Sequence, residues 1–295
     1  MARPQRHAPM LTTLKGASHD RRDLRPGTAA PASGGPGLAG FGRLLRSEWT
    51  KIWSVRSTSW SLAILVIGGI AVSTLIAGVM AAHWSTLSAA DRQAVTIKGD
   101  FGPGLSFAQL PPCVLGILVI TSEYTTGMIR SSLLAVPRRT PVLAAKAAVF
   151  GAVAFAAGEL LAFVSFPIAQ VMIGSRVPES LGDPATLRAA FGAGLYLAVL
   201  GVFSFSVGVM VGHTAAAITA IIVIFVVFGN LSQLLPGTAG RHINAYMPAN
   251  AGILITHARQ QAADLLSPWQ GFGVLCLWTA LLAAAAGFLL ARRDA

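Results

Sequence analysis

Glu159 is the single charged residue inside the long apolar stretches of this chain, which makes it the first candidate for a chemical role. An acid at this depth in a membrane is costly, and it usually marks a cavity or a partner. Two interpretations are open: proton coupling, and a protonated or water-facing glutamate that lines a helix bundle. The second is favoured, because no Lys or Arg lies in another apolar stretch to pair with Glu159.

A few further residues in the apolar stretches have the chemistry to shape a pathway. Asn230 and Gln233 make one end of the fifth stretch polar, which suits hydrogen bonds between helices or a hydrophilic exit. Pro111 and Pro112 stand together in the second stretch and remove two hydrogen-bond donors. We therefore predict a helix bend there, which fits either a moving pathway or a structural kink.

The sequence motifs of common enzymes do not occur. None of the four lysines follows a glycine, so a phosphate-binding loop is excluded, and neither Gly-x-Ser-x-Gly nor His-Glu-x-x-His is found. The six histidines are scattered, and Cys113 and Cys276 lie in apolar stretches. We expect no catalytic residue, no cofactor and no metal site in this chain, which is not an enzyme by itself.

The elements that must position these residues are membrane-spanning helices. About 20 apolar residues cross the roughly 30 Å of hydrocarbon, and the alternating pattern of a barrel is absent. A composition of 54% hydrophobic and 11% charged residues, with a mean hydropathy of +0.65, excludes a soluble domain. The sequence predicts an all-α polytopic protein with six transmembrane helices, at residues 60–82, 105–122, 147–174, 189–212, 215–235 and 268–291.

The distribution of basic residues predicts the orientation. With the N-terminus in the cytoplasm, 16 of the 22 Lys and Arg residues fall inside and six outside, so both termini are expected to be cytoplasmic. The net charge of +11 is mostly juxtamembrane, where it attracts anionic lipid, and nucleic acid is not an expected partner. The longest outer loop is residues 236–267, with a short surface helix expected within residues 251–266.

Two segments precede the first span. Residues 1–40 are rich in Arg, Pro, Gly, Ala and Ser without an apolar run, which predicts a disordered basic cytoplasmic tail. In residues 41–59, Phe41, Leu45 and Trp49 recur at helical spacing, with charged residues on the opposite side. This pattern predicts an interfacial amphipathic helix that leads into the transmembrane domain at residues 60–295.

Residues 123–146 form the one substantial internal cytoplasmic segment. It has a charged start, a short amphipathic stretch and a basic end after Pro137. Composition alone favours a solvated basic loop, and the alternative is a short helix against the membrane. In that alternative, the residues facing headgroups or a protein partner are Arg130, Arg138, Arg139 and Lys146.

Three runs of residues resemble bacterial type-2 ABC exporter permeases, which are membrane subunits without their own ATPase. The runs are SEWTKIWSVRST at residues 47–58, SEYTTGMIR at 122–130 with AVPRR at 135–139, and MPANAG at 247–252. The resemblance extends from about residue 41 to the C-terminus and includes the six-span layout. Its most specific element is the Glu-Tyr-x-x-Gly segment that begins at Glu123.

The resemblance implies that residues 41–59 are an elbow helix and that residues 123–139 are a coupling segment. That segment would dock on a separate ABC ATP-binding subunit carrying ATP and magnesium, which reverses the preference for a loop. The residues expected to make this contact are Glu123, Tyr124, Gly127 and Arg130, supported by Arg138 and Arg139.

The function expected from the resemblance is that of the transmembrane permease subunit of an ATP-driven exporter in the bacterial cell membrane. Two copies, or a related pair, would alternate access to the two sides. The uncharged predicted pathway favours an amphipathic or hydrophobic cargo. The alternative is a non-transporting polytopic membrane protein, such as an immunity or assembly factor, that binds a partner through its basic cytoplasmic face.

Overall fold

The computed structural model describes residues 38–54, 56–89, 92, 105, 107–125, 139–176, 180–261 and 264–292, and every regular element in this part is helical. Most of the predicted tail therefore lies outside the described residues. The helices are α1 (Leu38–Ser54), α2 (Arg56–Ala63), α3 (Gly69–Ala82), α4 (Leu110–Thr125), α5 (Arg139–Ile173), α6 (Pro184–Val211), α7 (Thr214–Ile222), α8 (Gly237–Ala245), α9 (Pro248–Ile253) and α10 (Pro268–Arg292). A π-helical turn at Ile64–Gly68 joins α2 to α3. A second π-helical turn, at Val223–Phe228, continues α7 as far as Leu234, and we call residues 223–234 the α7 continuation.

Helix α6 is the centre of the bundle. Of its most apolar stretch, 72% is buried within the chain, against 17% to 39% for the other four long apolar helices. Its core is apolar and aromatic, with Tyr196, Phe203 and Phe205 fully enclosed. Because α4, α5 and α10 all pack on it, α6 fixes the positions of the other helices.

In the part of the chain that the structure describes, five helices are long and apolar enough to cross a membrane: Ser59–Ala82, Pro141–Ile173, Pro184–Val211, Thr214–Leu234 and Pro268–Leu290. Helix α4 is shorter at 16 residues, or about 24 Å against the roughly 30 Å of hydrocarbon. It begins at Leu110, five residues later than the predicted span. Pro111 and Pro112 therefore occupy its first turn, where a missing N–H costs little, and the bend expected at these residues stays a prediction.

The helices around α6 alternate in direction. Helix α4 runs parallel to α6, and α5, between them in the chain, runs antiparallel. Glycines allow this close packing, since a methyl group on Gly116 would collide with a backbone carbonyl of α6. The facing pairs are Gly116 with Gly201 and Ile120 with Gly208 for α4 and α6, and Gly151 with Val202 and Gly158 with Gly194 for α5 and α6.

Short helices close the end of the bundle at which α6 begins. The guanidinium of Arg188 donates hydrogen bonds to the carbonyls of Ile255, His257 and Ala258, at 2.8–3.2 Å. These carbonyls follow α9, where a cation satisfies otherwise orphaned acceptors. The short helix expected within residues 251–266 is not found in the described part of that range beyond the end of α9 and one 3₁₀ turn. The two short helices lie earlier, at α8 and α9.

Candidate functional site

Four charged side chains meet at the other end of the bundle, where α1 packs. We call Glu48, Lys51, Glu123 and Lys146 the ion cluster, and this end of the bundle the α1 end. Glu48 and Lys51 lie on α1, Glu123 lies in the last turns of α4, and Lys146 lies in the second turn of α5. Charged side chains thus join three separate helices.

Lys146 is the centre of the ion cluster. Its Nζ donates to Glu48 Oε2 at 2.5 Å and to Glu123 Oε1 at 2.7 Å. Lys51 Nζ donates to the other oxygen of Glu48, also at 2.7 Å, and lies 3.8 Å from Glu123 Oε1. The side chains of Glu48 and Lys146 are only 4% and 5% exposed, so these bonds form away from water.

The ion cluster is electrically balanced, with two carboxylates against two ammonium groups. Burial by itself would raise the pKa of Glu48, but the hydrogen bonds and charges of Lys146 and Lys51 outweigh it and hold that pKa below its ordinary value. For Lys51, burial would lower the pKa, and Glu48 and Glu123 together raise it above its ordinary value. The bonded, ionised form is therefore the stable form of the α1 part of the cluster.

Hydrogen bonds extend this connection to the corner between α6 and α7. The hydroxyl of Tyr124 donates to the carbonyl of Val209 at 3.4 Å, near the end of α6. The hydroxyl of Thr214, the first residue of α7, donates to Thr121 of α4 at 2.8 Å. The end of α4 is consequently held by α1, α5, α6 and α7 together.

Two residues of the ion cluster lie on either side of residues 126–138, the middle of the predicted coupling segment. Residues 126–138 lie outside the described residues, but the helices on both sides are described. Glu123 lies two residues before the end of α4, and Lys146 lies seven residues after the start of α5. The Lys146–Glu123 bond thus ties together the two helix ends that residues 126–138 connect along the chain.

The sequence-predicted contact residues have different positions. Glu123 is buried and paired within the chain, and Tyr124 is half-buried. Gly127, Arg130 and Arg138 lie outside the described residues, as does the side chain of Arg139 at the start of α5. The contact of these six residues with another subunit stays a prediction. The alternative of a short helix against the membrane placed Lys146 against headgroups or a partner, and for Lys146 this was wrong, because it is buried.

The partners of Glu123 were not predicted from the sequence. Glu48 lies one turn before Lys51 on an amphipathic helix, which reads as an ordinary surface pair. Lys146 is 98 residues from Glu48, and no local pattern joins them. The available signal was Lys146 itself, a lone base beside the apolar run that opens the third predicted span.

The remaining candidate residues lie away from the ion cluster. Glu159 lies between α5 and α6 against Gly194, and its two carboxylate oxygens are enclosed without a hydrogen-bond partner among the described residues. Asn230 and Gln233 are exposed near the far end of α7. The Asn230 amide donates back to the carbonyl of Val226, and Gln233 lines a cleft described below.

Among the described residues, no group of three or more His, Cys, Asp or Glu side chains is arranged to hold a metal ion. The ion cluster contains no nucleophile beside a base, and its four charged groups pair with one another. What this arrangement does chemically is hold helices together. No protein-family model matches the chain, and a search of curated proteins gives no match.

Proposed function

We propose that this chain is the transmembrane permease subunit of an ATP-driven exporter, coupled to a separate ATP-binding subunit that carries ATP and magnesium. Residues 123–139 are the segment that docks on that subunit, and α1 is the elbow helix at the cytoplasmic face of a bacterial cell membrane. Together with the sequence resemblance, the ion cluster is the observation that carries this proposal.

The ion cluster connects the proposed docking segment mechanically to the helix bundle. A partner that moves residues 126–138 pulls on the last turns of α4 and the first turns of α5, which the Lys146–Glu123 bond holds together. Lys146 also binds Glu48, so α1 moves with them. Because α4 and α5 both pack on α6, a displacement at this end reaches the centre of the bundle. A solvated loop without this anchorage would transmit much less.

The alternation of helix directions supports six spans with both termini cytoplasmic. In this topology α4 is the second span despite its length, since it lies along α6 from the level of Pro112 to that of Tyr124. The positive α1 end then faces the cytoplasm, as the distribution of Lys and Arg predicts.

Exposed apolar side chains support a membrane setting and a dimer. Large apolar residues are exposed along the π-helical turn before α3, along α3 itself, the α7 continuation and α10, among them Ile67, Leu75, Phe228 and Leu281. Lipid covers part of this surface, and a second permease copy or a related chain covers the rest. With almost no charge in the spans, the pathway suits an amphipathic or hydrophobic cargo.

The test is purification of the tagged full chain from a host that supplies its native partners, followed by identification of what co-purifies and an ATPase assay. The variant is Arg130→Glu with Arg138→Glu, which reverses charge in the docking segment and leaves the ion cluster intact. We expect it to retain less than about a tenth of the ATP-binding subunit, corresponding to a loss of about 1.4 kcal/mol in binding free energy.

The matched control reverses two exposed arginines at the opposite end of the bundle, Arg176→Glu with Arg259→Glu, and should retain the subunit. An ATPase that binds the native chain and both variants equally would refute residues 126–138 as the docking segment. If no ATPase co-purifies with the native chain, the exporter proposal fails, and a membrane protein that binds a different partner through its basic face becomes the better account.

A further inference from the structure

A cleft of about 320 Å³ opens at the end of the bundle opposite the α1 end. Its walls are the last turn of the α7 continuation, α8, the start of α9 and the segment before α10. Thr214 at the α1 end and Ser232 in the cleft are 18 residues apart along one nearly continuous helix, or about 27 Å. The cleft and the ion cluster are therefore separate sites.

Two asparagines in the polar wall of this cleft have their amide nitrogens held by hydrogen bonds within the chain. The amide nitrogen of Asn244 donates to the Ser232 hydroxyl at 2.8 Å, and that of Asn250 donates to the carbonyls of Gly229 and Asn244, both at 3.3 Å. These bonds fix the two amide groups in place. Neither amide oxygen accepts a hydrogen bond from a described residue, and both side chains line the cleft, so each retains acceptor capacity there.

The two charges in the cleft are not bonded to each other. Asp264 accepts a hydrogen bond on one oxygen, from the backbone of Gln261 at 2.8 Å, which leaves its second oxygen as an acceptor. Arg241 makes no ion pair or hydrogen bond with any described residue. An unpaired cation and a carboxylate with spare capacity thus line one small cavity.

These groups match the donors and acceptors of a zwitterion. A primary ammonium group has three N–H donors, and the cleft offers three acceptor side chains: Asn244, Asn250 and Asp264. A guanidinium binds a carboxylate or phosphate in a bidentate manner. Four leucines supply an apolar wall beside these polar groups. The volume lies at the lower end of the range for small-molecule sites.

We propose that this cleft binds the head of a zwitterionic amphiphile, with its primary ammonium on Asp264 and the two asparagines, its anionic group on Arg241 and its apolar part on the leucines. Two sources supply this chemistry: a phosphatidylethanolamine of the bilayer, and a small soluble zwitterion such as an apolar dipeptide. Binding here needs no ATP-binding subunit, so the proposal is independent of the exporter function.

The test measures binding by the full purified chain in detergent, as the shift in its unfolding temperature against probe concentration. One arm adds phosphatidylethanolamine to the micelles, with phosphatidylcholine as the matched lipid, whose trimethylated ammonium has no N–H to donate. The other arm adds leucyl-leucine. The variants are Arg241→Gln and Asp264→Asn, and the control is Arg259→Gln, which is exposed but does not line the cleft.

We expect one probe to stabilise the native chain, with its apparent Kd raised about tenfold or more by either variant and unchanged by the control, because each variant removes a charge-assisted hydrogen bond. Phosphatidylethanolamine as that probe identifies a lipid site, and leucyl-leucine identifies a soluble ligand. The proposal is overturned if phosphatidylethanolamine stabilises the chain and phosphatidylcholine stabilises it equally. It is also overturned if neither phosphatidylethanolamine nor leucyl-leucine binds, or if the apparent Kd of the bound probe is unchanged in both variants. The lipid comparison on the native chain stands even where a variant fails to fold.

Discussion

Lys146→Met is the perturbation that most directly tests the ion cluster. Methionine keeps the length and much of the apolar volume of lysine, and it removes the charge that holds Glu48 and Glu123 together. Two carboxylates then remain at a site where their side chains are only 4% and 10% exposed. The variant isolates the cost of leaving buried like charges without their cation.

The expected loss follows from this geometry. Removing one partner of a buried ion pair costs about 3–5 kcal/mol, because an uncompensated charge is left away from water. Lys51 remains 2.7 Å from Glu48 and still balances one carboxylate, which places the expected loss at the lower end. We therefore expect the free energy of unfolding to fall by about 3 kcal/mol, or about two powers of ten in the unfolding equilibrium.

The measurement is unfolding of the purified chain in mixed micelles of increasing denaturing detergent, followed by circular dichroism and by tryptophan fluorescence. Two of the six tryptophans, Trp49 and Trp53, lie on α1 with ring centroids 5.9 Å apart, so part of the fluorescence signal comes from this helix. The comparison is the triple variant Lys146→Met, Glu48→Gln and Glu123→Gln, which leaves no uncompensated charge. Neutral replacement of a buried ionic group is often harmless or stabilising, so we expect this variant to lie within about 1 kcal/mol of the native chain or above it.

The reasoning is refuted if Lys146→Met costs less than about 1 kcal/mol, the range of an exposed ion pair. It is also refuted if the single and triple variants are equally unstable, because the loss would then come from packing and not from charge. A normal stability for the triple variant, together with impaired ATPase coupling, would separate the role of the cluster in force transmission from its role in folding.

Three further predictions concern the same fold. The pKa of Glu48 lies below its ordinary 4.5 in the folded chain. Its contribution to stability is therefore complete above pH 4.5 and is lost as the pH falls through its pKa in the folded chain. Acid unfolding, measured by circular dichroism, should be less steep in Glu48→Gln than in the native chain. Gly116→Ala should lower the free energy of unfolding by about 1–3 kcal/mol in the same micelle assay, because the added methyl group meets the α6 backbone. Gly273→Ala has open space around the added methyl group and should be neutral or stabilising. Equal losses in the two variants would contradict the close approach of α4 to α6. Arg188→Met should cost about 1.5–3 kcal/mol, since three carbonyls lose a charged donor, and the exposed Arg176→Met, which removes one such bond, should cost less.

Hydropathy was sufficient for five of the six predicted spans, because long apolar helices leave few alternatives to a spanning structure. Hydropathy was less informative where an apolar stretch is short or interrupted by polar residues. The second predicted span was drawn from Leu105 by apolar content, whereas α4 begins at Leu110, next to the two prolines that suit a first helical turn. Apolar content locates a membrane segment, and helix-terminus chemistry locates its end.

The ion cluster shows what periodicity cannot supply. The helical pattern of α1 puts Glu48 on the charged side with Arg43 and Arg46, and the charged side of an interfacial helix is expected to face water. In the structure Glu48 is buried, whereas Trp49 and Trp53 on the predicted apolar side are about half exposed. Periodicity identifies which residues share a face of a helix. Which element covers that face depends on a lysine 98 residues away, and no local pattern contains that information.

The balance of charge in the ion cluster bears on which residues meet a partner. Glu48, Lys51, Glu123 and Lys146 neutralise one another, so they contribute little net field beyond α1. The basic residues of the proposed docking segment, Arg130, Arg138 and Arg139, have no such balance in the sequence around them. We therefore expect an ATP-binding subunit to be attracted by these arginines, with Glu123 acting through Lys146 to position the segment. On this argument, charge reversal of the arginines should reduce binding of the subunit, whereas neutralising the cluster should leave binding intact and reduce the coupling of ATP hydrolysis to transport.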